Sequence, residues 1–237
     1  MRTTDGRFLA VNRVFQDRHG VSEEQVVWTL GEAIFTSESL ARFGRDDWTV
    51  ARRLVGMSFV EGDDRDERLF VRTEKRPVVA GSGTVAAIAG FVNWVAPPVR
   101  QVREDPALPE WLSGAYQRIV AGYAEPLVLA DEARRLRVRE YELSRSFKRA
   151  FGRSPKRLLH ELRAYSAAYR METSGIELAD LAAEAGFADQ SHLNRVFRKV
   201  FGCPPGRYRA ERSPAAGACK NVQDRRFPTA PHCAQLG

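Results

Sequence analysis

The chain has 237 residues, 43% of them hydrophobic and four of them Trp, which is long for one domain, comfortable for two and too apolar for disorder. Its net charge of +7 is unevenly placed: residues 1–110 hold 15 Lys+Arg against 17 Asp+Glu, and residues 111–237 hold 22 against 13, so the second half is the one suited to a polyanion. No apolar run approaches the ~18 residues of a membrane span, no signal peptide opens the chain, and Cys203, Cys219 and Cys233 lack metal-ligand spacing, so the expected protein is cytoplasmic, with no membrane, metal or cofactor.

In chain order, "DGRFLAVNRVF" at 5–15 reads as a turn, a short strand and a helix start. Strand-like and helical patterns then mix until "FVRTEKRPVVAGSGTVAAIAGFVNWV" at 70–95, two strand-like runs separated by "AGSG", a hairpin signal. In "APPVRQVREDPALPEW", Pro97, Pro98, Pro106 and Pro109 oppose a continuous helix and little is available to bury, which marks 96–109 as a linker. From there to about Arg212 every pattern has the helical period. Residues 213–237 have no periodicity and are expected to form a disordered tail.

The helical half contains an internal repeat. "LSRSFKRAFGRSP" at 143–155 aligns with "LNRVFRKVFGCPP" at 193–205 at an offset of 50, and "LADEA" at 129–133 aligns with "LADLA" at 178–182 at an offset of 49. One residue is therefore added in the turn of the second copy. Each copy predicts a short helix, a tight turn and a second helix with a basic outer face, the helix-turn-helix pattern given twice. Between them, Ser154 can cap a helix with Pro155 at its first position that runs to about Glu172. Some seventeen residues span roughly 25 Å, enough to hold two recognition helices about one DNA turn apart. Such a site need not be a palindrome.

In the second copy Leu193, Val196, Phe197, Val200 and Phe201 form the core-facing stripe, Asp189 is placed to cap the helix, and Gly202 stops it. Gln190, Ser191, Asn194 and Arg195 share the opposite face, and Gln, Asn and Arg are the side chains that make paired hydrogen bonds to base edges. His160 and His192 read as surface or packed residues, since neither has a second metal ligand beside it.

These residues resemble the DNA-binding domain of AraC/XylS-type transcriptional regulators over about 110–212, most specifically in "GFADQSHLNRVFRKVFGCPPGRYR". The resemblance implies seven helices, two helix-turn-helix units and a central linking helix. It places base reading at Gln190, Ser191, Asn194 and Arg195 in the second unit and at Tyr141, Ser144 and Arg145 in the first. It places phosphate contacts at Lys148, Arg149, Arg198 and Lys199. The first unit departs from the pattern: its turn, "RLRV", lacks the usual small residue, and its second helix carries Glu140 and Glu142, which a phosphate backbone repels. This unit is therefore expected to contribute less specificity than the second or to read a cytosine amino group.

The order of strand, helices and antiparallel strands in 1–95 resembles a PAS sensor domain, with a generic α+β domain as the alternative. A PAS domain normally has a strand before "DGRFLAVN", so either the true start lies upstream of Met1 or the domain lacks its first strand. A flavin light sensor needs a cysteine and a repair alkyltransferase a nucleophilic one, and residues 1–202 contain none. A haem would depend on His19, which lies in a polar turn. What remains is a small organic ligand or formation of a homodimer.

The expected fold is thus an α+β PAS-like domain at 1–95 followed by an all-α double helix-turn-helix domain at 110–212. The expected function is non-enzymatic: a regulator of transcription that binds double-stranded promoter DNA and recruits RNA polymerase or shifts occupancy. The alternative is a degenerate interaction module that has lost specific DNA binding, which salt dependence would separate.

Overall fold

A computed structural model describes residues 1–63 and 66–212. The tail expected at 213–237 lies outside the described residues. The chain divides into two compact units, Met1–Glu67 with Val71–Trp94, and Val95 onward with Arg68–Phe70.

The first unit begins with α1 (Arg13–His19), whose start is held by the Asn12 side chain accepting from the Phe15 amide at 2.9 Å. Then follow α2 (Glu23–Val26) and α3 (Ser37–Arg53). The strands are β1 (Met57–Asp63), β2 (Asp66–Val79) and β3 (Val85–Trp94), in sheet order β1–β2–β3. The predicted hairpin is present: β2 and β3 pair antiparallel, and the Ala80 amide bonds to the Thr84 carbonyl across the turn. The strand predicted within 5–15 is reduced to isolated bridges, Phe8 with Arg2 and with Val27. Helix α3 lies on β3, and Val50 of α3, Phe59 of β1 and Ile88 of β3 form a core cluster.

This small core also buries charge. Asp47, 2% exposed, sits 3.0 Å from Arg2 and 2.9 Å from Lys75, itself only 5% exposed. Two cations on one carboxylate keep every member paired, which is the condition for tolerating buried ions. Arg2 also donates to the Gly6 carbonyl through two nitrogens, so the cluster holds the N-terminal turn to the sheet.

The second unit opens with α4 (Val99–Glu104) and α5 (Glu110–Ala121). The stretch 96–109 is therefore partly helical, and it does bury apolar surface: Ala96 and Val102 are buried, and the Tyr116 hydroxyl donates to the Pro97 carbonyl. The repeat follows as α6 (Leu129–Arg135) and α7 (Glu140–Phe151), the linking helix α8 (Pro155–Thr173), then α9 (Leu178–Glu184) and α10 (Gln190–Phe201). Helix α11 (Pro205–Arg212) is the last element among the described residues, and it makes seven helices over 110–212, as expected.

The repeat is legible in the packing. Leu143 and Phe147 of α7, like Leu193 and Phe197 of α10, are fully buried. Each aromatic pair also receives a tyrosine: Tyr116 against Phe147 and Phe151, Tyr208 against Phe197 and Phe201. Both α7 and α10 end at a left-handed glycine, Gly152 or Gly202.

The two turns differ. Gly186 in the second copy has φ +81°, and the matching residue of the first copy is Arg137 at φ +58°. A side chain in the left-handed region costs roughly 1 kcal/mol, which glycine avoids. Arg137→Gly is therefore expected to raise the stability of the second unit by about 0.5–1 kcal/mol, read as a shift in the denaturant midpoint at unchanged slope.

Candidate nucleic-acid interface

Helix α10 takes its outward face from the way its inward face is fixed. Leu193, Val196, Phe197 and Phe201 are buried, and this rotation leaves Gln190, Ser191, Arg195, Arg198 and Lys199 exposed, with Asn194 half-buried. The start of the helix is equally determined, because the Asp189 carboxylate accepts from the His192 amide at 2.6 Å. Five of the residues singled out by sequence, Ser191, Asn194, Arg195, Arg198 and Lys199, line one open hollow on this face. Gln190 lies outside it, on the first turn.

In the first unit Tyr141, Arg145, Lys148 and Arg149 are exposed on α7 and Ser144 is half-buried. Glu142 acts locally, since its carboxylate accepts from the Arg139 amide at 3.0 Å and so caps the helix. That bond accounts for one of the two acidic residues that look out of place beside a polyanion. The basic pairs Lys148–Arg149 and Arg198–Lys199 stand in the last turns of α7 and α10. The negative end of the helix dipole favours them there even without a ligand.

The two histidines meet. His160 of α8 and His192 of α10 lie edge to face with ring centroids 5.5 Å apart, and His192 also packs edge-on against Phe187 at 5.3 Å. Nδ1 of His192 accepts from the Ala188 amide at 3.4 Å. Burial, then the neighbouring His192 and the cations Lys156, Arg163 and Lys199, push the His160 pKa down to about 4. Burial and Arg195 likewise lower that of His192, against the opposing pull of Asp189.

Sequence reasoning did not single out Arg163, nor the close approach at Gly186, where a β-carbon would stand 2.3 Å from the Ala124 carbonyl oxygen. A signal for the latter was available, since the repeat aligns Gly186 with Arg137 and only one copy needs a glycine. No signal marked Arg163, because a lone arginine on a mixed helix face reads as solvated. Among the described residues no group of three or more His, Cys, Asp or Glu could hold a metal ion, and no helix is long and apolar enough to cross a membrane.

Comparison with known proteins bears on this unit. Residues 133–211 match the family model of a helix-turn-helix domain. The chain is 39% identical over 62 residues to the transcriptional activator NphR of a Rhodococcus species, covering 26% of this chain and 18% of that protein. It is 31% identical over 111 residues to a putative AraC-like transcription regulator of Streptomyces lividans, covering 44% of this chain and 36% of that protein. Among solved structures, the C-terminal domain of AraT, a response regulator from Geobacillus stearothermophilus, aligns with 52% of this chain and 98% of its own at 25% identity and a TM-score of 0.43. The chain thus spans between about a fifth and a third of the length of these two curated relatives. Residues 133–211 form a helix-turn-helix domain, as the repeat predicted.

The histidine pair gives this unit an acid limit. Unfolded, His160 takes up a proton near its ordinary 6.5; folded, it does so only near 4, so the unfolded state binds the extra proton in between. Stability from this group is complete above about pH 6.5 and is lost as the pH falls toward 4. The melting temperature is expected to fall over that window, and to fall less in His160→Asn, as measured by circular dichroism at matched ionic strength.

Proposed function

We propose that this chain is a sequence-specific DNA-binding regulator of transcription of the AraC/XylS type. The observation that carries the reading is the outward face of α10: side chains suited to base edges and to phosphates line one hollow, backed by the buried Leu193, Val196, Phe197 and Phe201, which set the rotation of the helix. The second helix-turn-helix unit supplies the main readout in this proposal. Gln190, Ser191, Asn194 and Arg195 meet base edges, and Arg198 and Lys199 meet phosphates. In the first unit Tyr141, Ser144 and Arg145 meet bases, and Lys148 and Arg149 the backbone. The two units occupy successive major grooves.

The first unit of the chain serves as the sensor in this reading, of PAS type, taking a small organic ligand or a second copy of the chain. Regulation then consists of a change in promoter occupancy, or in recruitment of RNA polymerase, when the sensor changes state. The boundaries proposed are 1–95 for the sensor and 110–212 for DNA binding.

Incubating the purified full-length protein with sheared genomic DNA and sequencing what is retained tests the proposal. The expected result is one short asymmetric motif upstream of a few genes. Retention no better than bulk DNA at physiological salt would overturn the assignment. On the recovered site, Arg195→Ala is expected to cost about 1–3 kcal/mol and relax preference at one base position. Lys199→Ala is expected to weaken all sequences alike and reduce the salt slope by about one. Equal, sequence-blind losses from both would mean that another face enters the groove.

A further inference from the structure

The side chains that read DNA are useful only if both helix-turn-helix units face it together, and one buried arginine lies where that orientation is decided. Arg163, midway along α8, is 6% exposed. Its Nε donates to the Tyr123 carbonyl at 2.6 Å and its Nη2 to the Glu125 carbonyl at 2.7 Å. The rigid fork of a guanidinium thus grips two carbonyls of a three-residue segment from both ends. The Tyr123 hydroxyl adds a third attachment to α8, donating to Ser166 Oγ at 3.2 Å.

The middle residue of that segment touches the second helix-turn-helix unit. A β-carbon on Gly186, in the turn between α9 and α10, would come within 2.3 Å of the Ala124 carbonyl oxygen and 2.8 Å of its Cα. The left-handed backbone alone does not demand glycine, because Arg137 adopts the same conformation in the first copy with its side chain exposed. Gly186 is required by the close approach. The segment Tyr123–Glu125 joins α5 to α6, where the first helix-turn-helix begins, so a single short loop is bound to the first unit by the chain, to α8 by Arg163, and to the second unit by contact.

We propose that Arg163 is a positioning residue: through Tyr123–Glu125 it fixes the second helix-turn-helix unit relative to the first, and so sets the number of base pairs between their two half-sites. The inference rests on the two-groove reading above. Apolar packing of each unit on α8 is non-directional, whereas two carbonyls held by one planar group are fixed in both distance and angle. The recognised DNA therefore has a fixed spacing.

The test uses the full-length protein, the site recovered by selection, and derivatives with base pairs inserted between the half-sites. One inserted pair turns the second half-site by about 35° and moves it about 3.4 Å. Wild type is expected to lose about 100-fold or more in affinity on that insertion, as several contacts are lost together. Arg163→Met is expected to bind the native site about tenfold more weakly, because only a fraction of molecules holds the competent arrangement, and to show an insertion penalty below about fivefold. Gly186→Ala, which pushes the loop away while leaving Arg163 intact, should flatten the spacing dependence in the same way, and it replaces the methionine variant if that one does not melt cooperatively.

A wild-type footprint over two grooves with no penalty for the insertion would overturn the inference, as would a cooperatively folded variant that keeps the full wild-type penalty. A footprint over one groove alone would instead remove the two-groove reading, and the inference with it.

Discussion

A twelve-residue helix is marginal in water, and what holds α7 and α10 in shape is the burial of their apolar stripes. Everything at the candidate interface depends on this constraint. Removing a fully buried Phe such as Phe147 or Phe197 costs about 3–5 kcal/mol, a large share of a domain's stability. The stripes therefore cannot rotate, and the outward side chains are fixed in direction by what lies beneath them. The tyrosines reinforce this from outside each helix, Tyr116 in one copy and Tyr208 in the other.

Local rules made much of the second unit readable in advance. The period of Leu193, Val196, Phe197, Val200 and Phe201, the cap at Asp189 and the stop at Gly202 each correspond to a physical requirement of a single helix, and each is met except at Val200, which is half-buried. The hairpin around "AGSG" was legible for the same reason. Long-range pairings were not. Asp47 reads as one charge on a helix, yet it is the buried partner of Arg2 and Lys75, which lie far from it in sequence. The stretch after β3 looked too polar and too proline-rich to pack, but two of its apolar residues, Ala96 and Val102, are buried.

The histidines show how far residue type alone can lead. Sequence could say only that neither had a metal-ligand neighbour. Their positions, 32 residues apart, give no hint that α8 and α10 bring the rings edge to face among Lys156, Arg163, Arg195 and Lys199. Crowded by cations and partly buried, the pair works as neutral packing near pH 7. Glu142 is the converse case, a charge that looked misplaced until its bond to the Arg139 amide accounted for it.

The contrast between Arg137 and Gly186 has a further consequence. In sequence the two helix-turn-helix copies still align along most of their length, as though a segment of one could substitute for the other. Mechanically they are no longer interchangeable. The first turn is open on its outer side and accepts a long side chain, while the second has become a seat for the Ala124 backbone and admits not even a methyl group. A graft of the first turn into the second position would carry all the right helix signals and still force the neighbouring loop from its place. The symmetry of the repeat survives in how each copy folds, and has been given up in what each copy is able to hold.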